Sequence, residues 1–451
     1  MSGDFPTGEN ATDAAQPGTF AKTYYSAVVL MMVYCFAFVD RQIFTLMVGP
    51  IKRDFGVSDL DIGYLLGPAF ILSYVTVGLP AGWCVDRFQR SRLILVAGIA
   101  WGIGTALAAF TDSYGGLFFS RLCVGASEAF VYPAGMSLLA DLYDRRRLPV
   151  VSSMFVAAPA LGGGLSLLGG GYLLNATERA RQIGLPFIGA MRGWQVTLLV
   201  IALVGMIPVL MMLTVPDATR KRSTVPVAQP NEETRYGLID GTLYMLRRWR
   251  FYLTFFFGMA CSSMVMLTVS AWAPTYLARA YNLNPAEIGA SYGVLVLVFG
   301  IAGSVAAPAI NAGIARWTRY PTAQTTRLGP IMLVFFAALL WFVHSEGMAL
   351  ACLAALTFSY TFPLSMATTS LQLAAPSRLR GVASAYYFVA VSLIGYGIGP
   401  TAVPLITEHL FHDPARIGPA MSLIAVVFGS LSIVLLSISV DGFRREIAAE
   451  K

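Results

Sequence analysis

Apolar stretches long enough to cross a bilayer recur along the chain and are separated by short polar segments. A membrane-spanning helix needs about 20 apolar residues, and it satisfies its backbone hydrogen bonds within its own segment. The pattern therefore predicts an all-α membrane protein with twelve transmembrane helices. The predicted spans cover residues 23–48, 60–84, 91–110, 115–141, 148–174, 194–215, 249–278, 287–312, 327–344, 347–373, 379–406 and 417–440.

The longest polar interruption, residues 216–248, divides the spans into two groups of six. Residues 147–157 resemble residues 380–390, and residues 61–63 resemble residues 287–289. Such a six-plus-six repeat is typical of transporters that move two pseudo-symmetric bundles around a site at the membrane midplane. We predict a disordered cytoplasmic tail at 1–22, an N-terminal bundle at 23–215, a cytoplasmic linker at 216–248, a C-terminal bundle at 249–440 and a cytoplasmic tail at 441–451.

Composition and charge support a membrane protein. The chain is 56% hydrophobic and 12% charged, whereas a soluble domain carries about 25% charged residues. With the N-terminus in the cytoplasm, 22 of the 31 Lys and Arg residues lie on the cytoplasmic side, 7 on the other side and 2 within spans. This bias predicts a multi-pass protein of the inner (plasma) membrane with both termini in the cytoplasm. The net charge of +7 therefore reflects topology, and we expect no nucleic-acid partner.

Residues with metal-binding or catalytic chemistry are sparse. The five cysteines stand singly within apolar stretches, and the three histidines lie at span ends or in loops. Neither set has metal-ligand spacing, and the sequence has no nucleophile elbow or phosphate loop. We expect no metal, no cofactor and no enzymatic activity.

Four charged residues fall well inside predicted spans, away from the span ends: Asp40 and Arg41 in the first, and Arg121 and Glu128 in the fourth. Each charge costs about 2.5–3.5 kcal/mol near the bilayer centre, so such residues face protein or water and find partners. Counting residues along the two helices places Asp40 and Arg121 at similar depth, which predicts a contact between them. Helix neighbours point about 100° apart, so we expect one of Asp40 and Arg41 to face the cavity and the other to face span four.

Two interpretations of this cluster remain open. A carboxyl group in a low-dielectric cavity holds its proton, and an approaching arginine expels it. Asp40 and Glu128 would then be the proton-coupling residues, with Arg41 and Arg121 as charge partners or headgroup ligands. The alternative is a static ion-pair cluster that fixes helix packing, although buried ion pairs are weak evidence for stability.

Residues 82–92, after span two, resemble the cytoplasmic signature of the major facilitator superfamily, Gly-x-x-x-Asp-Arg-x-x-Arg-Arg. Gly82 permits close helix approach, and Asp86 is placed to pair with basic groups or a helix N-terminus. An ordinary loop with cytoplasmic basic residues explains the arginines but not Gly82 with Asp86. The predicted cytoplasmic gate comprises Gly82, Asp86, Arg87 and Arg90, completed by Asp141 and Arg147 after span four.

In this superfamily spans one, four, seven and ten line the cavity. The second half of the chain offers hydroxyl groups among apolar residues in spans seven and ten. The candidate lining residues are Ser262, Thr268, Thr357, Tyr360, Thr361 and Thr368. A cavity with one charged wall and one apolar wall suits an amphiphile with an anionic or zwitterionic head.

Three features together resemble the Spinster family, a branch of this superfamily. They are residues 39–41, the set Arg121, Gly125 and Glu128, and residues 376–381. The resemblance covers residues 24–440 and is to a bacterial homologue. It implies export of lysolipid-type amphiphiles, with proton coupling in some members.

By position, Asp40 and Arg41 match the family's span-one acid and base, and Arg121 and Glu128 match its span-four pair. We therefore expect a secondary transporter that uses a proton gradient to move lysolipid or sphingolipid-like molecules by alternating access. We expect it to be a monomer surrounded by membrane lipids. The alternatives are a proton-driven multidrug exporter and, from a different class, a passive lipid channel or scramblase.

Overall fold

The computed structural model is mostly helical. It describes residues 17–144, 147–180, 182–185, 189–216, 238–376 and 379–449. Twelve helices in these ranges are long and apolar enough to cross a membrane, so the predicted number of spans is confirmed. Parts of the predicted tails and linker, and of the segment 376–381, lie outside the described residues.

The first half of the chain supplies six spans, some of them built from two helices. Its helices are α1 (Pro17–Ile43), α2 (Val48–Phe55), α3 (Asp59–Leu66), α4 (Pro68–Arg87), α5 (Arg90–Phe110), α6 (Tyr114–Glu128), α7 (Val131–Leu142), α8 (Leu148–Glu178) and α9 (Gly193–Met211). Strands β1 (Ile183–Leu185) and β2 (Gly189–Met191) form an antiparallel hairpin after α8. Helix α1 begins at Pro17, inside the tail predicted to be disordered.

The second half also supplies six spans. Its helices are α10 (Leu238–Arg247), α11 (Tyr252–Tyr281), α12 (Pro285–Ile288), a π-helical turn (Gly289–Gly293), α13 (Val294–Ala315), α14 (Pro321–Leu339), α15 (Glu346–Ala374), α16 (Arg380–His409) and α17 (Ile417–Ala449). Helix α10 lies within the predicted linker. We call the membrane face with residues 88–89 and 316–320 the terminal face, and the face with residues 111–113 and 343–345 the opposite face.

Two spans that the apolar pattern predicts as continuous are broken. Span two breaks at Gly67, where φ is −117° and ψ is −83°, and Pro68 starts α4. Span four breaks at residues 129–130, directly after Glu128, and Pro133 lies in the first turn of α7. Proline has no backbone N–H and crowds the preceding turn, so it ends one helix and starts the next.

The repeated residues 61–63 and 287–289 form equivalent helix starts. At α3, Ser58 Oγ accepts from Asp61 N (3.1 Å) while the Asp61 carboxylate accepts from Ser58 N (2.9 Å). At α12, Asn284 Oδ1 accepts from Glu287 N (3.0 Å) while Glu287 accepts from Asn284 N (2.8 Å). Both are capping boxes, which satisfy backbone donors at the first turn.

Glycines just beyond these caps let the two bundles approach closely. A Cβ on Gly63 would lie 2.9 Å from the carbonyl oxygen of Pro400 in α16. A Cβ on Gly289 would overlap the carbonyl oxygen of Leu167 in α8. Small residues of this kind allow backbone-to-backbone packing between membrane helices. The bundles therefore meet near the opposite face.

Ionic contacts reinforce the closure of the opposite face. Arg279 of α11 donates to both carboxylate oxygens of Asp59 (2.7 Å each), and Lys52 donates to the same carboxylate (2.6 Å). The Leu60 backbone N–H also donates to Glu408 across the bundles (3.2 Å). The Asp59 side chain is only 3% exposed, so these bonds are shielded from water and screened little by salt.

We expect Gly171→Ala to destabilise the protein by about 1–3 kcal/mol, because a Cβ there would overlap the carbonyl oxygen of Pro285 in the other bundle. Thermal unfolding of the solubilised protein measures this. Gly169→Ala is the matched control in the same helix, since a Cβ there meets nothing within 4 Å. Equal unfolding temperatures for the two variants would contradict the contact.

Candidate functional site

The four charged residues predicted in spans one and four meet as two crossed ion pairs. Arg121 Nη1 of α6 lies 3.2 Å from Asp40 Oδ2 of α1, and Arg41 of α1 pairs with Glu128 of α6. Both acids lie in the last turn of a helix, where the helix dipole disfavours negative charge. Each carboxylate therefore needs the arginine that the other helix provides.

The predicted contact between Asp40 and Arg121 is confirmed, and Arg41 is the more exposed of the two neighbours, but Arg41 also contacts span four, which was not expected. Both side chains reach span four, Asp40 through Arg121 and Arg41 through Glu128. Arg121 and Glu128 lie two turns, or roughly 10 Å, apart on α6. The long arginine side chains span this separation, so neighbouring residues of α1 engage different turns of α6.

The Asp40 pair is sealed from solvent. Asp40 is 0% exposed and Arg121 is 1% exposed. The second carboxylate oxygen accepts a hydrogen bond from Thr105 Oγ1 of α5 (2.8 Å). The sequence interpretation missed Thr105, and its polar group in the apolar span three was the available signal.

The Arg41 pair is more accessible and touches the other bundle. The Arg41 side chain is 13% exposed, against 2% for Glu128. Arg41 Nη1 donates to the hydroxyl of Tyr396 in α16 (3.1 Å). Its guanidinium carbon lies 4.0 Å from the ring centroid of Phe70 and 4.5 Å from that of Phe38. The sequence interpretation also missed Phe70 and Tyr396, because single aromatic residues are ordinary in membrane helices.

Phe70 of α4 serves both arginines. The Arg121 guanidinium carbon lies 5.7 Å from the Phe70 centroid and 4.4 Å from that of Phe44. Cation–π contacts of this kind are worth about 0.5–2 kcal/mol each, depending on desolvation. Gly125 of α6 permits the arrangement, because a Cβ there would overlap the Phe70 carbonyl oxygen. The space beside Gly125 is therefore filled by α4.

Several polar atoms of the cluster have no hydrogen-bond partner among the described residues. They are Arg41 Nε, Arg121 Nε, Arg121 Nη2 and Glu128 Oε1. A buried unsatisfied polar group costs about 1–3 kcal/mol. On the more accessible side of the cluster, Arg41 Nε is therefore a spare donor for an anionic group and Glu128 Oε1 is a spare oxygen for a proton.

The structure brings together two of the predicted gate residues. Arg90, at the start of α5, forms an ion pair with Asp141 near the end of α7. The Arg87 guanidinium carbon instead lies 3.9 Å from the ring centroid of Trp83. Arg147 is exposed at the start of α8.

Gly82 does not make the close helix contact that the sequence predicts. A Cβ on Gly82 would meet nothing within 4 Å, so the expected close helix approach is not made in this conformation. A Cβ on Gly78, one turn earlier, would also meet nothing. Helix α4 therefore has open space along this line toward the terminal face. The Asp86 side chain lies outside the described part of the chain.

Two of the predicted cavity hydroxyls are packing groups instead. Thr268 and Thr357 are fully buried, and they donate to the carbonyl oxygens of Gly399 (2.9 Å) and Leu353 (2.8 Å). The Thr268 bond crosses to α16 and the Thr357 bond lies within α15; since both side chains are fully buried, neither hydroxyl lines a cavity. Of the other candidates, Ser262 is buried, Tyr360 and Thr361 are half-buried, and Thr368 is exposed.

Twelve spans in two repeated halves, with a charged cluster inside one half, are the architecture of a multi-pass membrane transporter. A profile of the Major Facilitator Superfamily matches residues 30–400. The chain belongs to this family of transporters, and the expected family is confirmed. The family assignment points to transport rather than enzymatic catalysis.

Individual relatives agree with this assignment. The chain is 24% identical to an MFS-type efflux pump of Mycolicibacterium smegmatis, with 97% of both chains covered. It is 23% identical to protein spinster of Drosophila melanogaster over 88% of this chain and 64% of that protein. A solved bacterial homologue of the human lysosomal transporter Spinster, inward-facing and unoccupied, has a TM-score of 0.74 at 18% identity, covering 97% of this chain and 98% of that one. Spinster proteins are thus among the relatives of this chain within the superfamily.

We expect Thr105→Val to destabilise the protein by about 1–3 kcal/mol, because it leaves one buried oxygen of Asp40 without a donor. Thermal unfolding measures the loss. Thr105→Ser keeps the hydroxyl and is the control, with an expected loss well below that of the valine variant. Identical behaviour of the two variants would show that the hydrogen bond does not support Asp40.

Proposed function

We propose that this protein is a proton-coupled secondary transporter that moves amphipathic, lysolipid or sphingolipid-like molecules by alternating access. The observation that carries this proposal is the crossed double ion pair with its unpartnered donors and acceptor. Buried ion pairs are weak evidence for stability, so packing alone does not account for this cluster. A cluster that exchanges a proton and a headgroup needs a partly exposed arginine and a carboxylate oxygen without a protein partner, and Arg41 and Glu128 supply these.

Arg41 is the headgroup ligand in this mechanism. It is the more exposed arginine, and its guanidinium is planar with donors that match phosphate and carboxylate oxygens. An anionic or zwitterionic head competes with Glu128 for Arg41. The aromatic rings of Phe38 and Phe70 beside the guanidinium favour a ligand whose remaining part is apolar.

Glu128 links substrate binding to the proton. When a headgroup draws Arg41 away, the Glu128 carboxylate is left without its counter-charge in a low-dielectric site and takes up a proton. When Arg41 returns, the proton leaves. Asp40 is buried and paired with Arg121. It holds that second arginine in place, and its own charge is affected when the cluster rearranges.

Alternating access follows from the contacts between the bundles. The Gly63 and Gly289 contacts and the Asp59–Arg279 pair close the opposite face. The Lys and Arg bias makes the terminal face cytoplasmic, which corresponds to an inward-facing state with both termini in the cytoplasm. We place the protein in the plasma membrane as a monomer, with a proton gradient as its driving force and no cofactor.

A multidrug exporter is the second candidate. It is favoured by the efflux pump of M. smegmatis, which is similar along nearly the whole chain. In that case the same aromatic and carboxylate groups would receive hydrophobic cations instead of lipid headgroups. A passive lipid channel or scramblase is the alternative from another class.

Transport into proteoliposomes separates these functions. We expect uptake of a fluorescent lysophospholipid to be saturable and to respond to an imposed pH gradient. Gradient-driven movement of a hydrophobic cation without lysolipid movement would favour the multidrug exporter. Flux that neither saturates nor responds to the gradient would indicate a passive pathway and would overturn the proposal.

We expect Glu128→Gln and Asp40→Asn to lower gradient-driven uptake by at least about tenfold, the ratio that one charge-assisted hydrogen bond contributes. Substrate exchange at equal pH on both sides is retained, because it needs no net proton movement. Asp112→Asn is the control, since that carboxylate is 85% exposed near the opposite face. Normal pH dependence in both variants would remove the acids from the proton pathway.

A further inference from the structure

Arg41 is held by groups from both bundles. Within its own bundle it pairs with Glu128 and lies against Phe70. From the other bundle, Tyr396 accepts a hydrogen bond from Nη1 (3.1 Å) and its ring centroid lies 5.3 Å from the guanidinium carbon. Tyr396 is thus a direct link between the C-terminal bundle and the charged cluster.

A close backbone contact brings Tyr396 to this position. A Cβ on Gly67 would overlap the carbonyl oxygen of Tyr396 and would lie 3.1 and 3.2 Å from ring atoms of Pro400. Gly67 stands where span two breaks before Pro68. A larger residue at this break would push α16 away from α4 and carry the Tyr396 hydroxyl away from Arg41.

The same surface closes the opposite face. Gly63, one turn before Gly67, meets the carbonyl oxygen of Pro400. Opening the opposite face requires α16 to leave this surface, and Tyr396 then leaves Arg41. By linkage, anything that alters the bond between Tyr396 and Arg41 alters the closure equilibrium by the same factor.

The surroundings of the pair limit which groups can mediate this link. Besides each other, the charged or titratable groups that interact with Arg41 or Glu128 are Tyr34 and Asp40 of α1, Tyr74 of α4, Arg121 of α6 and Tyr396 of α16. Tyr396 is the member of this set that comes from the C-terminal bundle.

We propose that Tyr396 is a positioning residue for Arg41, and that its hydroxyl ties closure of the opposite face to the charge of Glu128. When Glu128 is charged, Arg41 is shared between the carboxylate and the tyrosine. When Glu128 is neutral, Arg41 depends more on Tyr396, so the closed opposite face is favoured. The inference rests on the alternating access proposed above but not on the substrate.

Spin-label distances test this without a transport assay. On a background without the five native cysteines, one label pair at Gly184 and Gly347 reports the opposite face. A second pair at Gln89 and Gly313 reports the terminal face. The three glycines are exposed, and a Cβ on each would meet nothing within 4 Å.

Tyr396→Phe keeps the ring and removes the hydroxyl. We expect it to raise the population with an open opposite face by about tenfold, as loss of a charge-assisted hydrogen bond implies. Tyr387→Phe is the control in the same helix, because that buried hydroxyl has no hydrogen-bond partner among the described residues. Gly67→Ala should act in the same direction, whereas Gly78→Ala, in open space on α4, should change nothing.

The Glu128→Gln background separates positioning from simple packing. We expect the effect of Tyr396→Phe on the distance populations to be at least about threefold larger there, since contacting residues of one network are not additive. Equal effects in both backgrounds, or unchanged distances in Tyr396→Phe and Gly67→Ala, would overturn the inference. Shifted distances with failed lysolipid uptake would uphold it and refute the proposed substrate instead.

Discussion

The need to neutralise two buried carboxylates governs how the N-terminal bundle is assembled. Asp40 and Glu128 each lie at the carboxyl end of a helix, where the helix dipole adds to the cost of burying a negative charge. Removing one partner of a buried pair costs about 3–5 kcal/mol. Each acid takes its arginine from the other helix, so the crossed pairs connect α1 to two successive levels of α6.

The two pairs differ in access, and this gives the two acids different tasks. Asp40 has both oxygens bonded and no exposed surface, so its pair holds Arg121 in place. Glu128 keeps one oxygen without a partner among the described residues, and its arginine faces aromatic rings and the other bundle. The spacing of charged residues in the sequence predicted the same proton-coupling role for Asp40 and Glu128. Packing around them, which involves α4, α5 and α16, makes the distinction.

Much of the fold follows from local chemistry, whereas the details of the site depend on tertiary contacts. Apolar stretches of membrane-spanning length predicted the twelve spans, and the matching depth of Asp40 and Arg121 predicted their contact. The breaks at Gly67 and after Glu128 were not predicted, although Pro68 and Pro133 were readable signals. Tyr396 gave no such signal, because its role depends on a glycine in a helix far away in sequence. The prediction that Thr268 lines the cavity was wrong because its hydroxyl donates to a carbonyl oxygen of the neighbouring helix α16.

The glycine contacts near the opposite face have a mechanical consequence. Gly63 and Gly289 lie on symmetry-related helices. Their backbone contacts are two pivot points about which one bundle can rotate against the other. Gly82 lies fifteen residues beyond Gly67 along α4, a lever arm of about 22 Å at 1.5 Å per residue. A rotation of about 15°, typical of rigid-body switches, moves the end of such an arm by roughly 6 Å. A small slip at the two glycine contacts is thus amplified into a much larger movement of span two relative to span eleven at the terminal face.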